Sequence, residues 1–224
     1  VIDYYRHKPN SPATKILEWC DRITPEQLST TTGHGKDDRG RPMEYASDRE
    51  KWYAARSGAL LDLGRYEDCI AFCEEALGAF ATFHYDNDVW FRWRIALSRA
   101  GLGDREAAIA ELEGLLSRKQ DWFIQHKIAQ FLFELGRTDE ALERAVDAAL
   151  GPGPRELEFK WELFLLLGRI YQARDELELA KKHVLLAARV RQEKDWKMPP
   201  ELAQAVSELG VDMSVPTSSR DLER

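Results

Sequence analysis

Residues 47–77 read SDREKWYAARSGALLDLGRYEDCIAFCEEAL, two helices joined at Gly64. Ser47 followed three residues on by Glu50 is a capping box, and the apolar residues after it keep helical spacing. Leu63-Gly64-Arg65-Tyr66 then turns the chain back into a second amphipathic helix, so the stretch is a helical hairpin. The plan recurs when the turn residues Gly64, Gly103, Gly136 and Asp175 are aligned. Seven residues before each turn stand Ser57, Ala96, Ala129 and Gly168, and five after it Cys69, Ala108, Ala141 and Ala180, all of them small. Twelve after it come Ala76, Leu115, Ala148 and Ala187, a third position that is small in all hairpins but one. Small residues at fixed places on facing helices let antiparallel backbones approach closely. Larger residues fill the rest of the seam: Leu60, Leu132 and Tyr171 before the turn, Ile70, Ile109 and Leu142 after it, with Arg56, Arg99 and Lys181 breaking the pattern.

At these positions the chain resembles the tetratricopeptide repeat (TPR) family, whose unit is a helix, a tight turn and a second helix of about 34 residues. Leu63-Gly64-Arg65-Tyr66 with Cys69 and Ala76, Leu102-Gly103 with Ala108, Leu135-Gly136 with Ala141 and Ala148, and Leu167-Gly168 with Tyr171 and Ala180 carry the likeness. The turns are 39, 33 and 39 residues apart, so the first and last steps contain longer connections, after Leu77 and around Gly151-Pro152-Gly153-Pro154. The resemblance implies an all-α fold, an α-solenoid of about four TPR-like hairpins at 48–80, 87–119, 121–150 and 154–192. Segment 1–47 is then an N-terminal capping helix and polar loop, 193–210 a C-terminal capping helix, and 211–224 a flexible tail. The opening Ser-Asp-Arg-Glu-Lys-Trp-Tyr-Ala is also similar to that of some prokaryotic repeat proteins associated with nucleic-acid defence.

Composition agrees. A hydrophobic content of 44% over 224 residues excludes general disorder. No apolar run approaches the ~20 residues of a membrane span, and no signal-peptide pattern opens the chain, so a cytoplasmic home is expected. A start at Val1 without Met is expected of a fragment or of a chain shown without its first residues. Cys20, Cys69 and Cys73 are an odd number of cysteines, unlike a secreted disulfide framework. Cys69 and Cys73 share a helix face, yet no His or further Cys stands near, and they read as buried packing residues.

In chain order, Ser11-Pro12 supplies a cap and first-turn proline for a helix with Ile16, Leu17, Cys20 and Ile23 after an irregular lead-in of residues 1–10. Thr24-Pro25-Glu26-Gln27 starts another short turn by the same chemistry. From Ser29 to Ala46 periodicity is replaced by polar residues and glycine, the pattern of a loop. Within it Gly33-His34-Gly35-Lys36 lacks the glycine spacing and following Ser or Thr of a phosphate loop, and Asp37 and Asp38 would repel phosphate. His84-Tyr85-Asp86-Asn87-Asp88 lacks the glycine and terminal glutamate of a calcium loop. Asn87 or Asp88 is expected to cap the next helix, with Phe80, Phe83 and Tyr85 packed over the junction. Pro199-Pro200 opens a last helix with Leu202, Ala205, Val206 and Leu209, stopped by Gly210.

If the resemblance holds, function lies on a concave surface lined by the first helix of each hairpin. Helical spacing selects Trp90, Trp93, Arg94 and Leu97, then Phe123, His126, Lys127 and Gln130, then Arg169 and Gln172. Aromatic rings with arginine suit binding hot spots, and such a groove suits a peptide or helix of another protein. The family's two-carboxylate clamp for chaperone tails is poorly matched, since Ala54, Gly58 and Phe123 stand where its Lys and Asn residues would be. The expected function is therefore a non-catalytic protein–protein interaction scaffold, with no cofactor or metal. A nucleic-acid-associated adaptor using Arg92, Arg94, Arg99, Arg105 and the loop cations Lys36, Arg39 and Arg41 is the alternative, opposed by a net charge of -7. Five scattered His and no triad or metal signature speak against an enzyme.

Overall fold

The computed structural model describes residues 12–37, 39–151, 157–214 and 217–223. The expected lead-in 1–10, the cap at Ser11 and the break at Pro152-Gly153-Pro154 lie outside the described residues. Among those described there are eleven α-helices and one two-stranded antiparallel hairpin. The chain divides into two compact units, Val1–Leu115 and Leu116–Arg224.

In the first unit, α1 (Ala13–Cys20) leads through a 3-10 turn (Pro25–Gln27) to strands β1 (Gly33–Lys36) and β2 (Pro42–Tyr45). Helices α2 (Asp48–Asp62), α3 (Tyr66–Ala79), α4 (Asn87–Gly101) and α5 (Arg105–Leu116) follow. The 3-10 turn expected at Thr24-Pro25 is present, and in it the Thr24 amide donates to the Gln27 side-chain oxygen at 2.9 Å. Helix α1 docks on α2 through buried Leu17 and Cys20, and the Trp52 indole N–H donates to the Cys20 carbonyl at 3.2 Å. The core then runs along a chain of rings. Trp52 and Tyr53 meet Phe72 at 5.3 and 5.1 Å between centroids, Tyr53 meets Phe80 at 5.9 Å, and Phe83 links Phe80 to Phe91 at 5.5 and 5.9 Å. Such edge and tilted contacts add to the large apolar area these rings bury.

In the second unit, α6 (Trp122–Glu134) pairs with α7 (Thr138–Leu150), and α8 (Trp161–Ala173) with α9 (Leu177–Glu193). Helices α10 (Pro200–Glu208) and α11 (Ser219–Glu223) both pack on α9. Lys160, only 6% exposed, ends a 3-10 turn (Leu157–Lys160); its ammonium donates to the carbonyls of Ala148 and Ala149 at 3.3 and 3.0 Å. It thereby supplies a cation and donors to the unsatisfied C-terminal carbonyls of α7.

The hairpin turns share one geometry. Gly64, Gly103, Gly136 and Asp175 have φ of 68°, 92°, 78° and 63°. At the first, the Arg65 and Gly64 amides donate back to the Leu60 and Leu61 carbonyls at 2.9 and 3.0 Å, and the same pair of bonds recurs at the other three. This pair of hydrogen bonds closes a helix whose next residue is left-handed, which glycine tolerates and aspartate accepts at some cost. Asp195 and Gly210, with φ of 54° and 59°, end α9 and α10 in the same way. The seam is as the alignment requires: Ser57, Cys69, Ala96, Ala108, Ala129, Ala141 and Ala180 are 0% exposed, and Gly168 is buried against α9. Of the residues that break the pattern, Arg56 lays its guanidinium over Trp52 and Phe72 and pairs with Asp21. Its stem can cover apolar surface while the charge stays hydrated.

Local details differ from the sequence reading. The 29–46 stretch is not all loop: residues 33–36 and 42–45 form the hairpin, with Gly33 opposite Tyr45 and Gly35 opposite Met43. Gly-His-Gly-Lys and Pro-Met-Glu-Tyr carry no alternating apolar pattern, so nothing local announces strands. Asp37 closes the turn by accepting from the Arg39 and Arg41 amides at 2.9 Å each, and these bonds with the Arg41 guanidinium lower its carboxyl pKa. The capping box at Ser47 is half made. Ser47 accepts from the Glu50 amide at 3.2 Å, but the Glu50 carboxylate turns elsewhere. Neither Asn87 nor Asp88 caps α4; the N-cap residue is Asp86 in left-handed conformation, and Asn87 donates its side-chain amide to Glu50 at 2.7 Å. Ile23 lies beyond α1. Within the expected tail, Ser219–Glu223 is a short helix anchored by Ser219, whose amide and hydroxyl donate to Glu193 at 2.8 and 2.5 Å.

Candidate functional site

The candidate residues fall in both units and are taken separately. In the first unit Trp90, Trp93, Arg94 and Leu97 lie half-buried along α4. Trp90 and Trp93 meet edge to face at 6.5 Å. Arg94 lies over the Phe91 ring and beside Gly58. Ala54 is buried in the core, so that position faces packing and not a groove.

The first unit also holds a cluster that sequence spacing does not show. Glu50, 2% exposed, accepts from the His84 amide at 2.8 Å and from Asn87, and its second oxygen stands 3.1 Å from the His84 ring. The other ring nitrogen stands 3.2 Å from Glu44 of β2, and the Tyr85 hydroxyl donates to the Glu44 carbonyl at 3.0 Å. Hydrogen bonding and charge from Glu50, then Glu44, raise the His84 pKa above its ordinary value, burial opposing. The cluster ties the β hairpin and the α3–α4 connection to the start of α2. Among the described residues no three His, Cys, Asp or Glu side chains could together hold a metal ion. Cys69 and Cys73 are fully buried free thiols; Cys69 donates to the Ser57 carbonyl at 3.4 Å, and its sulfur together with burial pushes the Cys73 thiol up.

In the second unit four of the six candidates come together. His126, Gln130 and Arg169 line a hollow of about 340 Å³ with Phe133, Trp161, Leu165 and Leu166. Arg169 and Gln172 line an adjoining one of about 390 Å³ with Ala173 and Ala205. Phe133, Arg169 and Glu201 belong to both, so the two make one groove along α6, α8 and α10. Phe123 does not line it. The Lys127 ammonium donates to Gln130 at 2.7 Å, Gln130 passes its amide to Glu134 at 2.9 Å, and burial lowers the Lys127 pKa.

The charge of this groove differs from the mixed aromatic and basic stripe expected. His126 is 7% exposed, stacks on Trp122 at 6.0 Å, and is held neutral because burial, helped by Lys127, lowers its pKa to about 4. The lining carboxylates are Glu134, Glu162, Glu201 and Glu208, and the lining cation is Arg169. The α8 and α10 glutamates escaped notice because the sequence reading followed one face of each first helix and treated α10 as a cap. The cations grouped for nucleic acid are in part engaged: Arg99 pairs with Glu111 at 3.5 Å and Arg41 with Asp37 at 2.6 Å.

Among the described residues no helix is long and apolar enough to cross a membrane. No family model matches the sequence, and no curated protein is detectably similar to it. Solved structures do match. The C-terminal part of a TPR repeat-containing protein from Cytophaga hutchinsonii aligns over 93% of this chain and 76% of its own, at TM-score 0.58 and 12% identity. A kinesin-light-chain-like protein of Podosopora anserina with nearly identical TPR-like repeats aligns over 78% and 91%, at TM-score 0.53 and 14% identity. MamA from Desulfovibrio magneticus aligns over 76% and 99%, at 0.50 and 16%. At such identities the likeness is one of fold, and together with the recurring turns and seam it establishes that the chain has the all-α, TPR-like solenoid fold.

Proposed function

We propose that this protein is a non-catalytic interaction scaffold whose second unit receives a segment of another protein in the groove along α6, α8 and α10. The observation that carries the reading is the groove itself, in which exposed polar groups surround Phe133, Trp161, Leu165 and Leu166. An apolar floor with a few placed polar groups is what a peptide or helix docks into. The fold supports this, since solenoid repeats present extended surfaces made by many short elements. The α4 face with Trp90, Trp93, Arg94 and Leu97 is a second contact area of the same scaffold, and a cytoplasmic home suits three cysteines that form no disulfide.

The test is a peptide-display panel screened against the intact chain and an Ala173→Trp variant. Ala173 is exposed and lines the groove, so the indole fills the hollow without disturbing the core. Selected segments should bind the unaltered chain and lose about tenfold or more in affinity to the variant, on the scale of one hot-spot contact. Trp93→Ala measures the share of the α4 face. Binding that survives Ala173→Trp unchanged would remove the groove from the reading.

A further inference from the structure

Resting on that reading, we infer that the segment the groove receives is basic and amphipathic, its apolar side seated on the floor and its Lys and Arg side chains reaching the glutamates at the rim. Three observations carry this. The floor is continuous and apolar, formed by Phe133 of α6, Trp161, Leu165 and Leu166 of α8, and it extends past Ala173 toward Ala205 of α10. The rim is unequal in charge: Glu134, Glu162, Glu201 and Glu208 come from three helices, against the single lining guanidinium of Arg169. An acidic segment would meet four carboxylates, and phosphates would meet the same field, whereas a cationic one is attracted by the rim and by the net charge of -7. Finally, His126 lines the hollow, only 7% exposed and with its ring stacked on Trp122. A neutral imidazole offers one donor and one acceptor, which a bound backbone amide can satisfy.

Arg169 lies where the two hollows meet, with Glu201 also common to both. A bound segment therefore places its cations toward Glu134 and Glu162 at one end and toward Glu208 at the other, and a carbonyl or acidic group midway.

The experiment compares two synthetic helical peptides of about five turns with identical leucine faces, one with lysine and one with glutamate on the polar face, alongside an oligouridylate RNA. Each is titrated against the intact chain, a Glu162→Lys/Glu201→Lys variant, and a control Glu143→Lys/Asp147→Lys variant. The control alters exposed α7 residues that do not line the groove and changes net charge equally. The lysine peptide should bind the unaltered chain, weaken roughly tenfold or more with the groove variant, and change less than about twofold with the control. The glutamate peptide should bind only the groove variant. Preference of the unaltered chain for the glutamate peptide, equal weakening by both variants, RNA competing for the groove, or failure of the lysine peptide to bind the unaltered chain overturns the inference. If the display panel yields acidic or neutral segments that Ala173→Trp displaces, the groove remains a binding site and only its charge preference is wrong.

Discussion

Gly168 is buried where α8 packs on α9, and enlarging it tests the alignment of the small seam positions. A Cβ there would lie 2.5 Å from Val184 Cγ2 and 3.3 Å from the Ala180 carbonyl oxygen. The first distance is below any real carbon contact, and Val184 is fully buried, so the helices must separate or the valine must leave its rotamer. Overpacking of this kind costs about 1–3 kcal/mol, while replacing glycine inside a helix returns up to about 1 kcal/mol of backbone propensity. Gly168→Ala should therefore fall between neutral and about 2 kcal/mol destabilising, and Gly168→Leu, which pushes three further carbons into the seam, should cost at least about 1–3 kcal/mol net. Trimming the opposing side chain supplies the control. Val184→Ala alone leaves a void, but combined with Gly168→Ala the new methyl occupies part of it, so the double variant should be more stable than the sum of the singles by about 1 kcal/mol. Urea denaturation of the intact chain followed by far-ultraviolet circular dichroism measures all four. An unchanged midpoint for Gly168→Leu, or strict additivity in the cycle, would show that the two helices do not meet at this pair.

Asp175 holds a left-handed conformation at a turn where three equivalents are glycine; Asp175→Gly should stabilise by about 0.5–1 kcal/mol and Gly136→Ala should destabilise by a similar amount, both read from urea midpoints. His126 and His183 are each lowered by burial from 6.5 to about 4. The unfolded chain therefore takes up protons first as pH falls below 6.5, and stability should decline toward pH 4 by on the order of 2–3 kcal/mol per histidine; midpoints of His126→Leu and His183→Phe against pH should show a shallower acid limb. The opposite sign holds for His84, raised by Glu50 and Glu44. Its contribution is complete below the ordinary value of 6.5 and is lost as pH rises through the higher folded value, so Glu50→Gln should flatten the decline on the alkaline side of 6.5 as well as weaken the fold.

The helical hairpins and their seam were legible in the sequence because both depend on local rules. A left-handed turn needs Gly or a tolerant Asp, and close backbones need Ser, Ala, Gly or Cys at fixed offsets from it, so Gly64, Gly103, Gly136 and Asp175 mark the architecture without any knowledge of tertiary contacts. The first helix of each hairpin was legible too, which is why His126, Gln130, Arg169 and Gln172 were selected and do line the groove. What only the tertiary structure decided was the environment of those side chains. Glu50 satisfies the pattern of a capping box, yet bonds from His84 and Asn87, 34 and 37 residues away, outcompete the single Ser47 amide for its carboxylate. The strands of the β hairpin have no pattern of their own and are tied down through Glu44 to His84 and Tyr85. The charge of the groove belongs to glutamates at the ends of α6, α8 and α10 that sequence spacing never places together, because charge at a site is set by what converges in space, whereas helical periodicity reports only one element at a time.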